Sequence, residues 1–89
     1  MSFKYNFSLF CTMTTAFVLI NTKLGKEEEI IENLKHIESV KEVHGTFGAY
    51  DVIATVENNK KEDLRDVIAW GIRRMNNVRS TLTLMESQN

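Results

Sequence analysis

The stretch TFGAYDVIATV, residues 46–56, places Tyr50 and Asp51 directly after a Gly48-Ala49 step. These are residue types that recognition chemistry uses. A glycine-initiated turn can expose successive backbone N–H groups as a small nest for an anion. A carboxylate beside it can accept a charge-assisted hydrogen bond from a cation, worth roughly 1.5–3 kcal/mol. Tyr50 can wall such a site and offer its hydroxyl. The plain structural alternative is a hairpin in which Asp51 caps the turn and Tyr50 packs on Phe47, since aspartate is common in turns. Aspartate is disfavoured within strands, so its place at the head of a strand-like run calls for one of these two explanations.

Other groups able to do chemistry are few. His44 stands two residues after Glu42. The pair is open to general-base work or a pH-sensitive contact, or to a plain role as a hydrogen-bonded interface histidine. His36 falls on the outer face of a helix and is expected to be solvated. Cys11 is the single cysteine, which excludes an intrachain disulfide and suits a reducing, cytoplasmic compartment. With two separated histidines it makes no metal-ligand spacing. Arg73, Arg74 and Arg79 form a small basic cluster, and the first two complement the negative end of a helix. The net charge of −1 argues against the basic stripe of a nucleic-acid binder. No cofactor motif appears, so a non-enzymatic role without cofactor or metal is expected.

The elements that must position these residues follow from periodicity. A chain of 89 residues is one domain, and a domain this small buries only about 60% of its unfolded surface, so partners can supply the rest. Residues 15–21 read as a strand, 26–37 as a helix with Ile30, Ile31, Leu34 and Ile37 on one face. Strands follow at 40–47 and 50–57, then a helix at 60–75 and a strand at 78–86. A two-residue turn at Gly48-Ala49 pairs Thr46 with Asp51, Gly45 with Val52, His44 with Ile53 and Val43 with Ala54. Four residues in that loop would keep the same parity. Val43, Gly45, Val52, Ala54 and Val56 then share an apolar face. In the last strand, Val78, Leu82 and Leu84 are expected to face the core, with Arg79, Thr81, Thr83 and Met85 opposite.

The order βαββαβ predicts an α+β fold, a ferredoxin-like two-layer sandwich with both helices on one side of an antiparallel sheet. The other face then carries Phe17, Leu19, His44, Thr46, Ile53 and Met85, among Thr55, Thr81 and Thr83. An exposed mixed patch of this kind marks an interface, here a face-to-face homodimer closing a dimeric α/β barrel. Trp70 turns away from the core stripe. It is expected either to make a higher-oligomer contact, since aromatics anchor interfaces, or to lie over neighbouring aliphatic stems. The opening residues are too broken by Asn6, Ser8 and Thr12 for a membrane span or a secretory leader. Residues 1–14 are therefore expected to be a disordered or loosely docked extension, 15–86 the domain and 87–89 a frayed tail.

Three segments in order, FVLINTKLG, IESVKEVHGTFGAYDVIATV and MNNVRSTLTLME, carry a resemblance. From about Ala16 to Glu86 the chain resembles the effector-sensing C-terminal domain of the Lrp/AsnC family, the leucine-responsive or feast/famine regulators. The most specific piece is G-x-Y-D, Gly48 to Asp51. The resemblance implies dimers through sheet faces, often assembled into larger rings such as a tetramer of dimers. It implies small effectors, often amino acids, bound between dimers near the loop joining the second and third strands. Carried over by position, that site is Gly48, Ala49, Tyr50 and Asp51, with Thr81 and Thr83 of the last strand. An α-amino acid would set its carboxylate on the N–H nest and its ammonium on Asp51. Family members typically carry a helix-turn-helix domain ahead of this one. Here residues 1–14 hold one lysine and no helical period, so a stand-alone sensor is expected, paired at most with full-length family regulators, and direct DNA binding is not carried over. Two other readings share the fold. One is a small dimeric barrel enzyme of oxygenase or isomerase type, using Glu42 and His44 between the sheets. The other is an amino-acid-binding domain of ACT type, which the G-x-Y-D hairpin disfavours.

Overall fold

The computed structural model describes residues 13–86. The expectations for residues 1–12 and for the tail at 87–89 lie outside that range. Strand β1, Thr14–Thr22, is a run of β-branched, aromatic and aliphatic residues whose alternate positions are buried. It takes in Thr14, which the sequence reading assigned to the extension. Gly25, at φ +78°, turns the chain into helix α1, Glu27–Leu34. Three glutamates in its first turn complement the positive end of the helix dipole. The helix stops short of the expected residue 37: His36 N–H donates to Asn33 O at 3.2 Å and Ile37 N–H to Leu34 O at 3.0 Å, tightening the exit.

Strands β2, Val40–Gly45, and β3, Val52–Asn58, follow. Then come helix α2, Lys61–Asp66, its continuation Val67–Ile72, and strand β4, Val78–Met85. The strands form one antiparallel sheet in the order β2-β3-β1-β4. This is the βαββαβ ferredoxin-like α+β fold. The core lies between sheet and helices. Ala16, Val18 and Ile20 of β1 and Val52, Ala54 and Val56 of β3 meet Ile30, Leu34, Leu64, Ile68 and Ile72.

Three local features depart from the sequence reading. The β2–β3 register is the expected one, with Val43, His44 and Gly45 opposite Ala54, Ile53 and Val52. The strands, however, end at Gly45 and begin at Val52, so a broader loop replaces the two-residue turn. Thr46 closes its base: the Thr46 N–H donates to Asp51 O at 2.9 Å and the Thr46 hydroxyl to Tyr50 O at 2.6 Å. Gly48 sits at φ +128°, a backbone region that side chains disfavour.

The second departure is in helix two, read as regular over 60–75. From Val67 it widens into a π-helix, and the Arg73 N–H donates five residues back to Ile68 O at 2.8 Å. Residues four apart drift about 40° around a 3.6-residue turn. The wider turn reduces that drift and keeps Leu64, Ile68 and Ile72 stacked over the sheet.

The third departure reverses β4. Thr22 pairs with Val78 but Asn21 pairs with Ser80, so Arg79 bulges out. A bulge inserts one residue and flips the alternation beyond it. Val78 does pack against the core. Past the bulge, Leu82 and Leu84 stand opposite Leu19 and Phe17, and Thr81, Thr83 and Met85 stand opposite Ile20, Val18 and Ala16. Opposed residues share a face. Leu82 and Leu84 are therefore on the open face, while Met85, Thr81 and Thr83 are on the helix side, contrary to expectation.

Candidate functional site

Asp51 answers part of its own question. Its Oδ2 accepts the Thr22 backbone N–H at 2.9 Å, and the Thr22 hydroxyl approaches the same oxygen at 3.4 Å. Its own N–H donates to Ile20 O at 2.9 Å. The last regular β1–β3 pair is Ile20 with Val52. Asp51 thus finishes the ladder where β4 has bulged against β1. Thr22 is buried, and a buried N–H without an acceptor is costly, so the carboxylate ties off a strand rather than the turn. Its other oxygen, Oδ1, makes no hydrogen bond among the described residues. Tyr50 is half-buried. Phe47 is fully exposed at the loop tip, so Tyr50 does not pack into a shared cluster with it.

The register also separates the expected partners. Thr81 and Thr83 lie on β4, across β1 from β3. Two strand spacings, roughly 9–10 Å, stand between them and the Gly48–Asp51 loop. One protomer does not bring these residues together.

The open face is ordered in cross-strand rows. His44, Ile53, Leu19 and Leu82 make one, and Glu42, Thr55, Phe17 and Leu84 the next. Leu82 and Leu84 are 44% and 49% exposed. At the β2 end, His44 Nε2 lies 3.5 Å from Glu42 Oε1, with both side chains well exposed. Toward the loop end, Asn21 Nδ2 donates to Ser80 Oγ at 3.2 Å. Thr46 lies just beyond β2, its hydroxyl engaged within the loop. The apolar centre of the face is therefore Phe17, Leu19, Ile53, Leu82 and Leu84. Sequence periodicity missed the last two because a period of two cannot reveal a bulge.

On the helix side, Trp70 is 66% exposed. The Arg74 guanidinium carbon sits 4.8 Å from its ring centroid, a cation–π contact worth about 0.5–1 kcal/mol at an exposed site. Beside it, a cavity of about 280 Å³ opens between the widened helix and β4, lined by Arg65, Ile68, Ala69, Arg73, Thr83 and Met85. Arg65 drew no attention in the sequence, where it reads as one more solvated helix charge.

Comparison with known proteins agrees with this architecture. The family model of the Lrp/AsnC ligand binding domain matches residues 15–88. The HTH-type transcriptional regulator FL11 of Pyrococcus abyssi is 36% identical over 53 residues, 60% of this chain and 35% of that regulator. The chain thus matches about a third of the length of its curated relative. The crystal structure of FFRP-DM1 superposes with a TM-score of 0.81 at 38% identity, over 83% of this chain and 99% of that one. The hypothetical protein PHS023 from Pyrococcus horikoshii gives a TM-score of 0.80 at 37% identity, over 85% and 92% of the two chains.

Proposed function

The chain belongs to the Lrp/AsnC ligand-binding-domain family, and from that premise we propose that it is a non-enzymatic sensing and oligomerisation module for a small effector, an amino acid. It acts in transcriptional or metabolic regulation in the cytoplasm. The observation that carries the reading is Asp51. Thr22 fixes the carboxylate through Oδ2 and leaves Oδ1 for an ammonium. The Gly48-Ala49 backbone offers N–H groups for the carboxylate, and Tyr50 supplies a wall. A site that also uses Thr81 and Thr83 draws them from a second protomer. Calorimetry against the twenty amino acids is expected to give saturable heat for at least one. Silence from all of them at millimolar concentration would sink the amino-acid assignment.

The open face supplies the dimer. Phe17, Leu19 and Ile53 remain in that interface with Leu82 and Leu84, while Met85 leaves it. His44 lies at its β2 rim, and Thr46 near the loop. The same face would admit mixed dimers with full-length family regulators. The exposed Glu42–His44 pair is the one feature an enzyme could use, and its rim position suits an interface better than an enclosed site.

Trp70 is the proposed contact between dimers. Replacing it with alanine is expected to lower the mass measured by light scattering from the higher oligomer to the dimer, with the melting temperature nearly unchanged. An unaltered mass would end this role for Trp70.

A further inference from the structure

We propose that the trough between the π-helix and β4 is a second ligand site, one that takes a small carboxylate with an apolar body and no ammonium group. Arg65 and Arg73 line it, and Ile68, Ala69 and Met85 give it apolar walls beside Thr83. Neither arginine has a carboxylate partner among the described residues, where the ion pairs are Lys26–Glu29 and Glu42–His44. Arginine presents a fork of donors that matches a carboxylate. The trough is therefore flanked by two positively charged side chains that form no ion pair among the described residues.

The π-helix is what builds it. Arg65, Ala69 and Arg73 stand four residues apart. In an α-helix each step of four would drift by about 40°, so Arg73 would turn well away from Arg65. The widened segment, closed by the Arg73 N–H to Ile68 O bond of 2.8 Å, brings the three positions closer to one line facing β4. Local π-turns recur at functional sites. The bulge at Arg79 contributes as well, because it turns Thr83 and Met85 to the helix side.

The walls decide the ligand class. A volume of about 280 Å³ lies at the small end of ligand pockets, which run roughly 300–1,000 Å³. Ile68 is 5% exposed and forms the floor. Met85 is an adaptable thioether wall. No aspartate or glutamate lines the trough, so an amino acid would bring an ammonium with no anionic acceptor. A short branched or linear carboxylate leaves nothing unmatched. The site lies across the sheet from the Gly48–Asp51 loop and stands or falls independently of it.

The probe is isovalerate, titrated into the full chain and followed by amide chemical shifts. Shifts centred on Ala69, Arg73 and Thr83 are expected. Arg65→Gln and Arg73→Gln, both at exposed positions, are each expected to weaken binding about tenfold. Ala69→Phe should fill the trough and abolish binding, while Asp51→Asn should leave it unchanged. Leucine should bind at least about tenfold more weakly at these residues, because its ammonium lacks a partner. Melting curves establish that each variant is folded. Four results would overturn the proposal: no shifts at millimolar isovalerate, equal binding after both arginine replacements, equal binding of inorganic phosphate, or shifts centred on Gly48–Asp51 instead.

Discussion

Replacing Leu19 with lysine is expected to convert the proposed dimer to a monomer at micromolar concentration. Leu19 lies mid-sheet on β1, between Ile53 and Leu82 in one row and beside Phe17 of the next. Against a second sheet its ammonium would be buried without a partner, at an effective cost of several kcal/mol. A two-fold interface uses the same patch twice, so the cost enters twice. Even about 3 kcal/mol in total weakens association more than a hundredfold. Leu19 is only half-buried in the single chain, so the variant should fold, and sedimentation velocity reads the mass. A matched pair tests the corrected register. Leu84→Lys should dissociate the dimer like Leu19→Lys, whereas Met85→Lys, on the helix side, should not. Equal dissociation by both would contradict the proposed interface.

That pair marks where the sequence stops being informative. In β1 and β3, alternation reports burial faithfully, because Ala16, Val18, Ile20, Val52, Ala54 and Val56 are small or β-branched and their neighbours are larger or polar. Beside the loop, the β2–β3 register of Val43, His44 and Gly45 follows from the alternation in β3 together with the turn, whereas the shift at Lys41 between Val40 and Glu42 has no such signature. In VRSTLTLM both parities mix apolar and polar residues, so only Val78 anchors the assignment, and the bulge at Arg79 sits between Val78 and the leucines it was meant to predict. The connection that sets up β4 carries one clue, Asn77 at φ +73°, a conformation asparagine tolerates better than most residues. The π-helix is equally silent, since the apolar stripe Leu64, Ile68, Ile72 suits a regular helix well enough. Of the candidate site, the loop was legible as a motif. The bond between Asp51 and Thr22, 29 positions apart, is a product of tertiary structure and has no local signature.

That bond gives Asp51 two separable duties, and two substitutions divide them. Asp51→Ala removes the acceptor of the Thr22 N–H. Thr22 is 5% exposed, so water cannot readily replace it, and an unsatisfied buried donor costs about 1–3 kcal/mol. In a domain of this size each kcal/mol lowers the melting temperature by roughly 4–8 °C. Asp51→Asn keeps a carbonyl oxygen for the same N–H, so its melting temperature should stay much closer to that of the parent chain. What it loses is the negative charge. If Oδ1 receives the ammonium of an amino acid, the lost charge-assisted bond of roughly 1.5–3 kcal/mol weakens binding about ten- to a hundredfold. Stability and affinity therefore respond differently: alanine lowers both, and asparagine lowers affinity while largely sparing stability. Melting curves and calorimetry on the two variants read the two quantities separately. Parent-like amino-acid affinity in Asp51→Asn would leave Asp51 as a tie between strands and remove it from the ligand site.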